Sequence, residues 1–413
     1  MNIILIIIMS FFWGLLAFYS ILMLAGVYYR LKKSNQDKLQ LSSYPSVSIL
    51  IPAHNEGIVI RDTLHAMCEI DYPGELNIYI LDDSSTDNTA EISKNFQNTF
   101  SRIHYIPVPQ GEPKGKSRVL NYGLTFIQTE YFLVYDADNE PKPDAVRLLV
   151  EKAVSVPNAA GAVGYVKTKN AAKNLLTQMI ALEFQVFQLL MQCGRWQLFK
   201  IGSLAGTNML LKRQAIEEIG GYDVHALAED AELTIRLTAA GYLLPVEAEA
   251  KTWEQEPETL KTYIKQRTRW LIGNIYLLEK IFTSAKFWRK KVFHHSFQHL
   301  SIYLFFTFLL LLSHIFFFGS LLGWFEPEYT APVLLLWFMS YIVYTLQLIG
   351  AIVVERDISP IKVFVAVIMY FTYAQLFVLL LGRSTVVYLW KKIIKKEDIA
   401  WDKTNRFKSQ TEK

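Results

Sequence analysis

Apolar residues in this chain fall into long unbroken runs at its two ends and short interrupted runs between them. Residues 3–29 are almost continuously apolar, long enough for a helix through a hydrocarbon core of about 30 Å. Arg30, Lys32 and Lys33 follow this run. The order predicts a retained anchor, N-terminus outside and basic flank inside, rather than a cleaved signal peptide. After a polar linker at 32–44, β-branched runs at 47–51, 78–81 and 131–135 alternate with helical patterns. Such alternation predicts an α/β domain, a mainly parallel sheet covered by helices. Residues 300–325, 332–354 and 363–382 are three further runs of spanning length.

The boundaries that follow are a transmembrane helix at 1–30, a cytosolic domain at 31–278, an amphipathic surface helix at 279–299, a membrane region of about three helices at 300–390 and a basic polar tail at 391–413. The surface helix rests on Phe282, Phe287, Trp288 and Phe293 mixed with Lys286, Arg289, Lys290 and Lys291. Residues 182–199, with Phe184, Phe187, Trp196 and Phe199, fit either a second surface helix or the core. One conflict stands. Three C-terminal crossings would leave Lys391, Lys392, Lys395 and Lys396 outside, against the positive-inside tendency. Either one run is broken or re-entrant, or the rule fails; the last run, with Arg383 and the short apolar stretch 386–390, is the candidate to deviate. His314, Gln347 and Gln375 within these runs fit a polar path or helix packing.

Composition narrows the class. A mean hydropathy of +0.19 and 14% aromatic residues are high for a wholly soluble protein. Lysine plus arginine (42) barely exceeds aspartate plus glutamate (38), so nothing calls for nucleic acid. Two cysteines, Cys68 on a domain helix and Cys193 on a surface helix, support neither a disulfide framework nor a thiolate zinc site, in keeping with a reducing cytosolic face.

Four polar clusters then carry the chemistry: Asp82-Asp83, Asp136-Ala137-Asp138, Glu229-Asp230 and Gln266-Arg267-Thr268-Arg269-Trp270. The first two follow the carboxyl ends of predicted strands, where open α/β sheets bind ligands. Asp136 and Asp138 fall on one side of an extended chain and could hold a divalent cation on a diphosphate; a solvated strand-end turn fits them equally. Asp83 could accept the imide N–H of uracil or belong to an ordinary helix N-cap. Lys116 could approach a phosphate or the base as a point charge. Glu229-Asp230 opens a helix that Gly241 ends, and Asp230 is the candidate general base toward an acceptor hydroxyl. Gln266, Arg269 and Trp270 share one helical face, offering an amide, a phosphate-pairing guanidinium and an apolar platform for a sugar.

With Pro52-Ala53-His54-Asn55-Glu56, Lys116 followed by Leu120-Asn121, and the final Gln266-x-x-Arg269-Trp270, the set resembles the processive family 2 glycosyltransferases. That group contains cellulose, hyaluronan and poly-β-1,6-N-acetylglucosamine synthases, and the layout here is most similar to the bacterial biofilm poly-N-acetylglucosamine synthases. The resemblance implies a GT-A domain, a Rossmann-like mixed sheet flanked by transmembrane helices in the bacterial plasma membrane. It implies a UDP-sugar donor (UDP-N-acetylglucosamine or UDP-glucose), Mg²⁺ or Mn²⁺, inversion to a β-linkage and extrusion of the polymer. It puts Glu56, Asp83, Lys116, Asp136 and Asp138 at the donor, Glu229 and Asp230 at the reacting hydroxyl, and Gln266, Arg269 and Trp270 at the acceptor and pyrophosphate. The partners implied are the growing polysaccharide or a lipid acceptor, membrane lipids and a small membrane accessory subunit. Two departures stand out: Ser84 where glycine often follows the aspartate, and Ala228 where threonine often precedes Glu229. The alternatives are single addition to a lipid acceptor and, ranked below it, a non-catalytic nucleotide-binding membrane subunit.

Overall fold

The computed structural model describes residues 2–33, 40–289, 292–324, 327–395 and 407. Its centre is one sheet of strands β1 (Val47–Ala53), β2 (Leu76–Asp82), β3 (Ile103–Pro107), β4 (Tyr131–Val134), β5 (Glu140–Pro141), β6 (Gly161–Thr168), β7 (Met209–Lys212) and β8 (Val246–Glu254). They lie in the order β3-β2-β1-β4-β7-β6-β8-β5. The first four in space are parallel; β7 runs against both β4 and β6, and β8 returns parallel to β6.

Side-chain alternation explains why both faces are covered. Val47, Ile49 and Ile51 of β1 and Leu133 of β4 pack with Ile60 and Leu64 of the helix Ile60–Cys68 and Leu149 of Ala145–Val154. Leu50, Phe132 and Val134 point the other way, onto Val119 and Leu120 of Lys116–Leu124 and Leu233 of Glu229–Ala239. The register sets Ala53 opposite Asp82 and Leu50 opposite Val134. The loops after β1, β2 and β4 therefore leave the sheet at one edge, which brings three distant motifs together.

Three helices among the described residues are long and apolar enough to cross a membrane: Ile6–Lys32, Leu334–Val354 and Tyr373–Lys392. The N-terminal helix, Asn2–Lys33, has 32 residues and is roughly 48 Å long. That exceeds a hydrocarbon core of about 30 Å, so its last dozen or so residues run beside the sheet. There Tyr29 donates to the Val246 carbonyl (3.0 Å) and Arg30 pairs with Glu249 (2.5 Å). A Cβ on Gly26 would lie 2.1 Å from the Leu190 carbonyl oxygen, and one on Gly194 2.0 Å from that of Leu22. The two glycines let segment 182–199 meet the membrane helix backbone to backbone. That segment thus belongs to the packed interior, and Cys193, expected on a surface helix, is buried; neither cysteine forms a disulfide.

The C-terminal region departs from three simple crossings. The first of these runs forms a π-turn, Ser301–Phe306, leading into Thr307–Leu321. Pro327–Val354 follows, and Glu355 beyond it is held by Lys167 of β6 (2.7 Å), so this helix ends at the α/β domain. The third run is broken at Thr372 into Pro360–Met369 and Tyr373–Leu389. Both ends of the latter touch one side of the molecule: Tyr373 donates to Glu183 (2.6 Å), and Tyr388 donates to Glu279 (2.5 Å) with Lys392 paired to the same carboxylate. It runs alongside the helix Leu260–Thr283 instead of leading away from the domain. Lys392 accordingly stays beside the domain, paired with Glu279; Lys396 lies outside the described residues, as do Lys290 and Lys291.

The single surface helix expected at 279–299 is also corrected. Residues up to Thr283 complete the helix Leu260–Thr283, Ala285–Trp288 is a short 3₁₀ turn, and Val292–Leu300 is a separate helix. The break is set by extended backbone at Ser284 and Arg289 and by Phe287 and Val292, which bury themselves against Ile235, Leu277 and Ile281. His314 and Gln375 hydrogen-bond to each other at 2.9 Å, a contact that ties helices together and favours packing over a polar path.

Candidate active site

Three carboxylates converge at the sheet edge: Asp136, Asp138 and Glu254 can each offer an oxygen within 4.8 Å of the others. Asp136 and Asp138 meet through a turn, with the Asn139 amide donating to the Asp136 carbonyl (3.1 Å), not along an extended strand as the sequence suggested. The chain then enters β5, whose pairing with the end of β8 sets Glu140 opposite Trp253 and delivers Glu254 to the cluster. Asn139 donates to Glu254 (3.2 Å), and the Gln255 amide donates to Asp138 (3.2 Å). Burial, and then Glu256, Asp138 and Asp136, push the Glu254 carboxyl well above its usual range. Hard oxygen donors pressed together in this way fit a divalent cation, whose charge would reverse that repulsion.

The Asp82-Asp83 pair divides its labour. Asp82 is buried, accepting from the Ser85 amide (3.0 Å) and the Tyr105 hydroxyl (2.8 Å). Asp83 lines the cleft and pairs with Arg118, which also donates to the Pro109 carbonyl (2.7 Å). Ser84 takes φ +59°, the left-handed conformation that explains why glycine suits this position; a serine there is strained by roughly 1 kcal/mol. The loop after β1 is latched to this one: His54 Nδ1 contacts the Asp83 carbonyl (2.7 Å) and the Asn55 side chain accepts from the Thr86 amide (2.7 Å). Glu56 lines the same cleft and is 6% exposed.

Lys116 sits between the donor-side and helix-side acids. It pairs with Asp136 at 2.5 Å, lies 3.7 Å from Glu229 and donates to the Gly206 carbonyl (2.7 Å). Burial would lower its pKa, but Asp136 and Glu229 together raise it, so it stays cationic. Asn121, on the same helix, clamps the backbone of Tyr222 from both sides (2.8 and 2.9 Å), which braces the approach to Glu229-Asp230. The helix Glu229–Ala239 starts where expected, with Gly241 at φ +96° just past its end. Burial first, and the neighbouring Glu229 second, push Asp230 up to about 7, against the Ala231 amide and Lys116, which lower it.

Gln266, Arg269 and Trp270 all line the cleft from the helix Leu260–Thr283. The Gln266 Oε1 is buried with no hydrogen-bond partner among the described residues, an acceptor available to a ligand. Arg267, which had no role in the motif as read from the chain, pairs with Glu183 (2.5 Å) and lies 4.5 Å over the Trp270 ring. It thereby fixes the indole. Gly273 on the same helix meets the loop before Glu229: a Cβ there would lie 2.7 Å from the Ala228 nitrogen and 2.8 Å from its Cβ. A small residue at 228 is part of that close approach, a structural setting for the second departure.

All of this borders one continuous cleft of about 500 Å³. Glu229, Asp230, Asp83, Lys116, Asp136 and the Gln266, Arg269 and Trp270 face share it, with Asp138 buried just behind its wall. Sequence reasoning missed Glu254, Arg118 and Arg267; only Arg267 lay inside a recognised motif. On this geometry the comparisons bear directly. Residues 48–220 match the family described as Glycosyl transferase family 2. "Probable glycosyltransferase YdaM" of Bacillus subtilis is 36% identical over 406 residues, 97% of this chain and 96% of that protein. "Poly-beta-1,6-N-acetyl-D-glucosamine synthase" of Staphylococcus epidermidis is 27% identical over 281 residues, 65% of this chain and 67% of the relative. Among solved structures, the mannosyltransferase PcManGT of Pyrobaculum calidifontis, in complex with GDP-Man and Mn²⁺, is similar in fold (TM-score 0.55, 17% identity, 93% of this chain and 99% of that one). The fold is of the GT-A type, and with a relative this similar along nearly its whole length the chain belongs to glycosyl transferase family 2.

Proposed function

We propose that the protein is a membrane-embedded, inverting, processive glycosyltransferase that polymerises UDP-N-acetylglucosamine or UDP-glucose into a β-linked exopolysaccharide and passes it outward. The observation that carries this reading is the single cleft in which the carboxylate cluster, Asp230 and the Gln266-x-x-Arg269-Trp270 face meet beside membrane-length helices. The staphylococcal synthases among the relatives add to it. Asp136, Asp138 and Glu254 would hold Mg²⁺ or Mn²⁺, which neutralises the two phosphates on binding and on departure. Asp230 takes the proton of the acceptor hydroxyl, and that oxygen attacks the anomeric carbon as UDP leaves from the opposite face, inverting the centre. Lys116 and Arg269 meet the phosphates, Trp270 supports the acceptor sugar, and Gln266 bonds a sugar hydroxyl.

In this reading one oxygen of Asp83 is oriented by Arg118 and the other accepts the uracil imide. Arg118→Ala should therefore weaken UDP binding roughly tenfold, seen as a raised donor KM at little-changed kcat; an unaltered KM would remove Arg118 from the donor site. Gly273→Val addresses the other wall. The added atoms must push the acceptor helix off Ala228, so kcat/KM should fall about 10²-fold, because such small misplacements are that expensive, while UDP affinity holds. Equal activity would mean that the helix and the loop before Asp230 need not be in contact.

The function itself is tested by purified protein in nanodiscs with Mg²⁺ or Mn²⁺ and radiolabelled UDP-N-acetylglucosamine or UDP-glucose, sizing the products. A ladder reaching high mass from one donor is expected. A single short glycolipid would replace processivity with single addition.

A further inference from the structure

The same cleft holds a cation that the chemistry above leaves unused. Arg195 lines it, and none of the described residues gives it a carboxylate. Its Nε is buried without an acceptor, and the ionisable groups that act on it are Tyr19, Cys193 and Tyr303. The nearby His295 offers nothing either, since burial first, and Arg195 second, hold it down to about 3, neutral at any working pH. Arg195 differs in this from the other buried cations of the domain: Lys116 has Asp136, and Arg267 has Glu183. Burial lowers it to about 10, which leaves it charged near neutrality. With its Nε desolvated and no counter-ion among the described residues, this charge is unfavourable alone, so an anionic ligand is its natural complement.

The level of Arg195 and the walls around it indicate which ligand. Tyr19 lies on the membrane-length N-terminal helix, 14 residues before Lys33 and hence roughly 21 Å from its inner end. With about 48 Å of helix and about 30 Å of hydrocarbon, that is close to the inner headgroup level. Phe187, Ile302, Phe377 and Leu380 line the cleft too, and Phe187 is 50% exposed. Tyr303, which acts on Arg195, packs 6.5 Å from Phe377, so the charge shares its surroundings with apolar side chains of the cleft.

We propose that Arg195 binds the phosphate of a phosphate-bearing amphiphile that enters the cleft from the bilayer as acceptor or primer: a free hydroxyl of this amphiphile gives its proton to Asp230, its oxygen bonds to the anomeric carbon, and UDP leaves as the bond between that carbon and the phosphate oxygen breaks. This rests on reading the cleft as a transferase's acceptor site, and is independent of how many sugars follow.

The test uses calorimetric titration of the full chain in neutral maltoside detergent with dodecyl phosphate, with inorganic phosphate and, as a measure of an intact donor site, with UDP. Dodecyl phosphate should bind, inorganic phosphate at least tenfold more weakly, and Arg195→Gln should lose at least tenfold in dodecyl phosphate affinity with UDP affinity retained; Arg195→Lys should recover part of it. Equal binding of inorganic and dodecyl phosphate would assign the site to a free anion and overturn the proposal, as would undiminished dodecyl phosphate binding by Arg195→Gln. Should Arg195→Gln also lose UDP, Arg195→Lys decides: retained UDP with no recovery of dodecyl phosphate affinity counts against the proposal, and recovery of both supports it. Dodecyl phosphate binding in a wild-type chain that binds no UDP would sink the transferase reading while leaving the anion site standing.

Discussion

Asp230→Asn is expected to lower kcat by about 10³-fold or more, since a positioned base contributes on the order of 10²–10⁴, while leaving UDP affinity nearly unchanged. The pH dependence makes this specific to a base. Burial and Glu229 raise Asp230 to about 7, so in the wild type kcat/KM should climb about tenfold per pH unit below 7 and level off above it. The residual activity of the Asn variant should lack that limb, and Glu229→Gln, which removes the second cause of the rise, should move it to lower pH. Stability must move the opposite way. Asp230 has a higher pKa folded than its ordinary 3.8, so its contribution to stability is full below about 3.8 and is lost as pH rises through 7. Asp230→Asn should accordingly melt higher than wild type at pH 8, in the absence of donor and divalent cation, with the gain shrinking toward pH 4. Loss of activity together with a higher Tm identifies a functional carboxylate held against its own preference; a lower Tm at pH 8 would point to a structural role instead.

How far such residues could be read from the chain depends on what placed them. Alternation of apolar and polar positions was enough for β1, β2 and β4, because each strand is buried on both faces by side chains that it carries itself. Asp83 and Asp230 were legible for the same local reason, one following a strand, the other opening a helix. Glu254 was not: it ends an ordinary-looking strand, and only the β5–β8 pairing brings it to Asn139, 115 residues away. Arg118 was hidden because a lone arginine on a helix gives no sign of its partner; the curl of the 109–116 loop chooses Asp83. The break at Thr372 shows the limit of hydropathy. The run 363–382 is apolar apart from Thr372 and Gln375, and its fate is decided by where Tyr373 and Tyr388 find carboxylates on neighbouring helices.

Glu254 is for that reason the sharpest test of the site. Glu254→Gln keeps the shape and the hydrogen bond from Asn139 but removes one of the three carboxylates that would surround the cation. Transfer at millimolar Mn²⁺ should fall about 10²-fold, and Mn²⁺ affinity, followed by the electron spin resonance of the free ion, should weaken 10- to 100-fold, the scale on which metal sites respond to lost support. Glu256→Gln is the control, since Glu256 stands near the cluster but outside the set of three; it should keep its Mn²⁺ affinity. Thermal melting separates charge from packing. A cation at a hundred times its Kd stabilises the folded chain by about 2.7 kcal/mol, so Mn²⁺ should raise the Tm of wild type and of Glu256→Gln, and at that concentration that of Glu254→Gln by half as much or less, about 0.4 to 1.4 kcal/mol. Without Mn²⁺ the order should reverse, Glu254→Gln melting above wild type, because three clustered carboxylates repel one another until a cation lies between them. If Glu254→Gln instead bound Mn²⁺ as wild type does, the cation would rest on Asp136 and Asp138 alone, and Glu254 would be left as a buried acid that Asn139 holds in place.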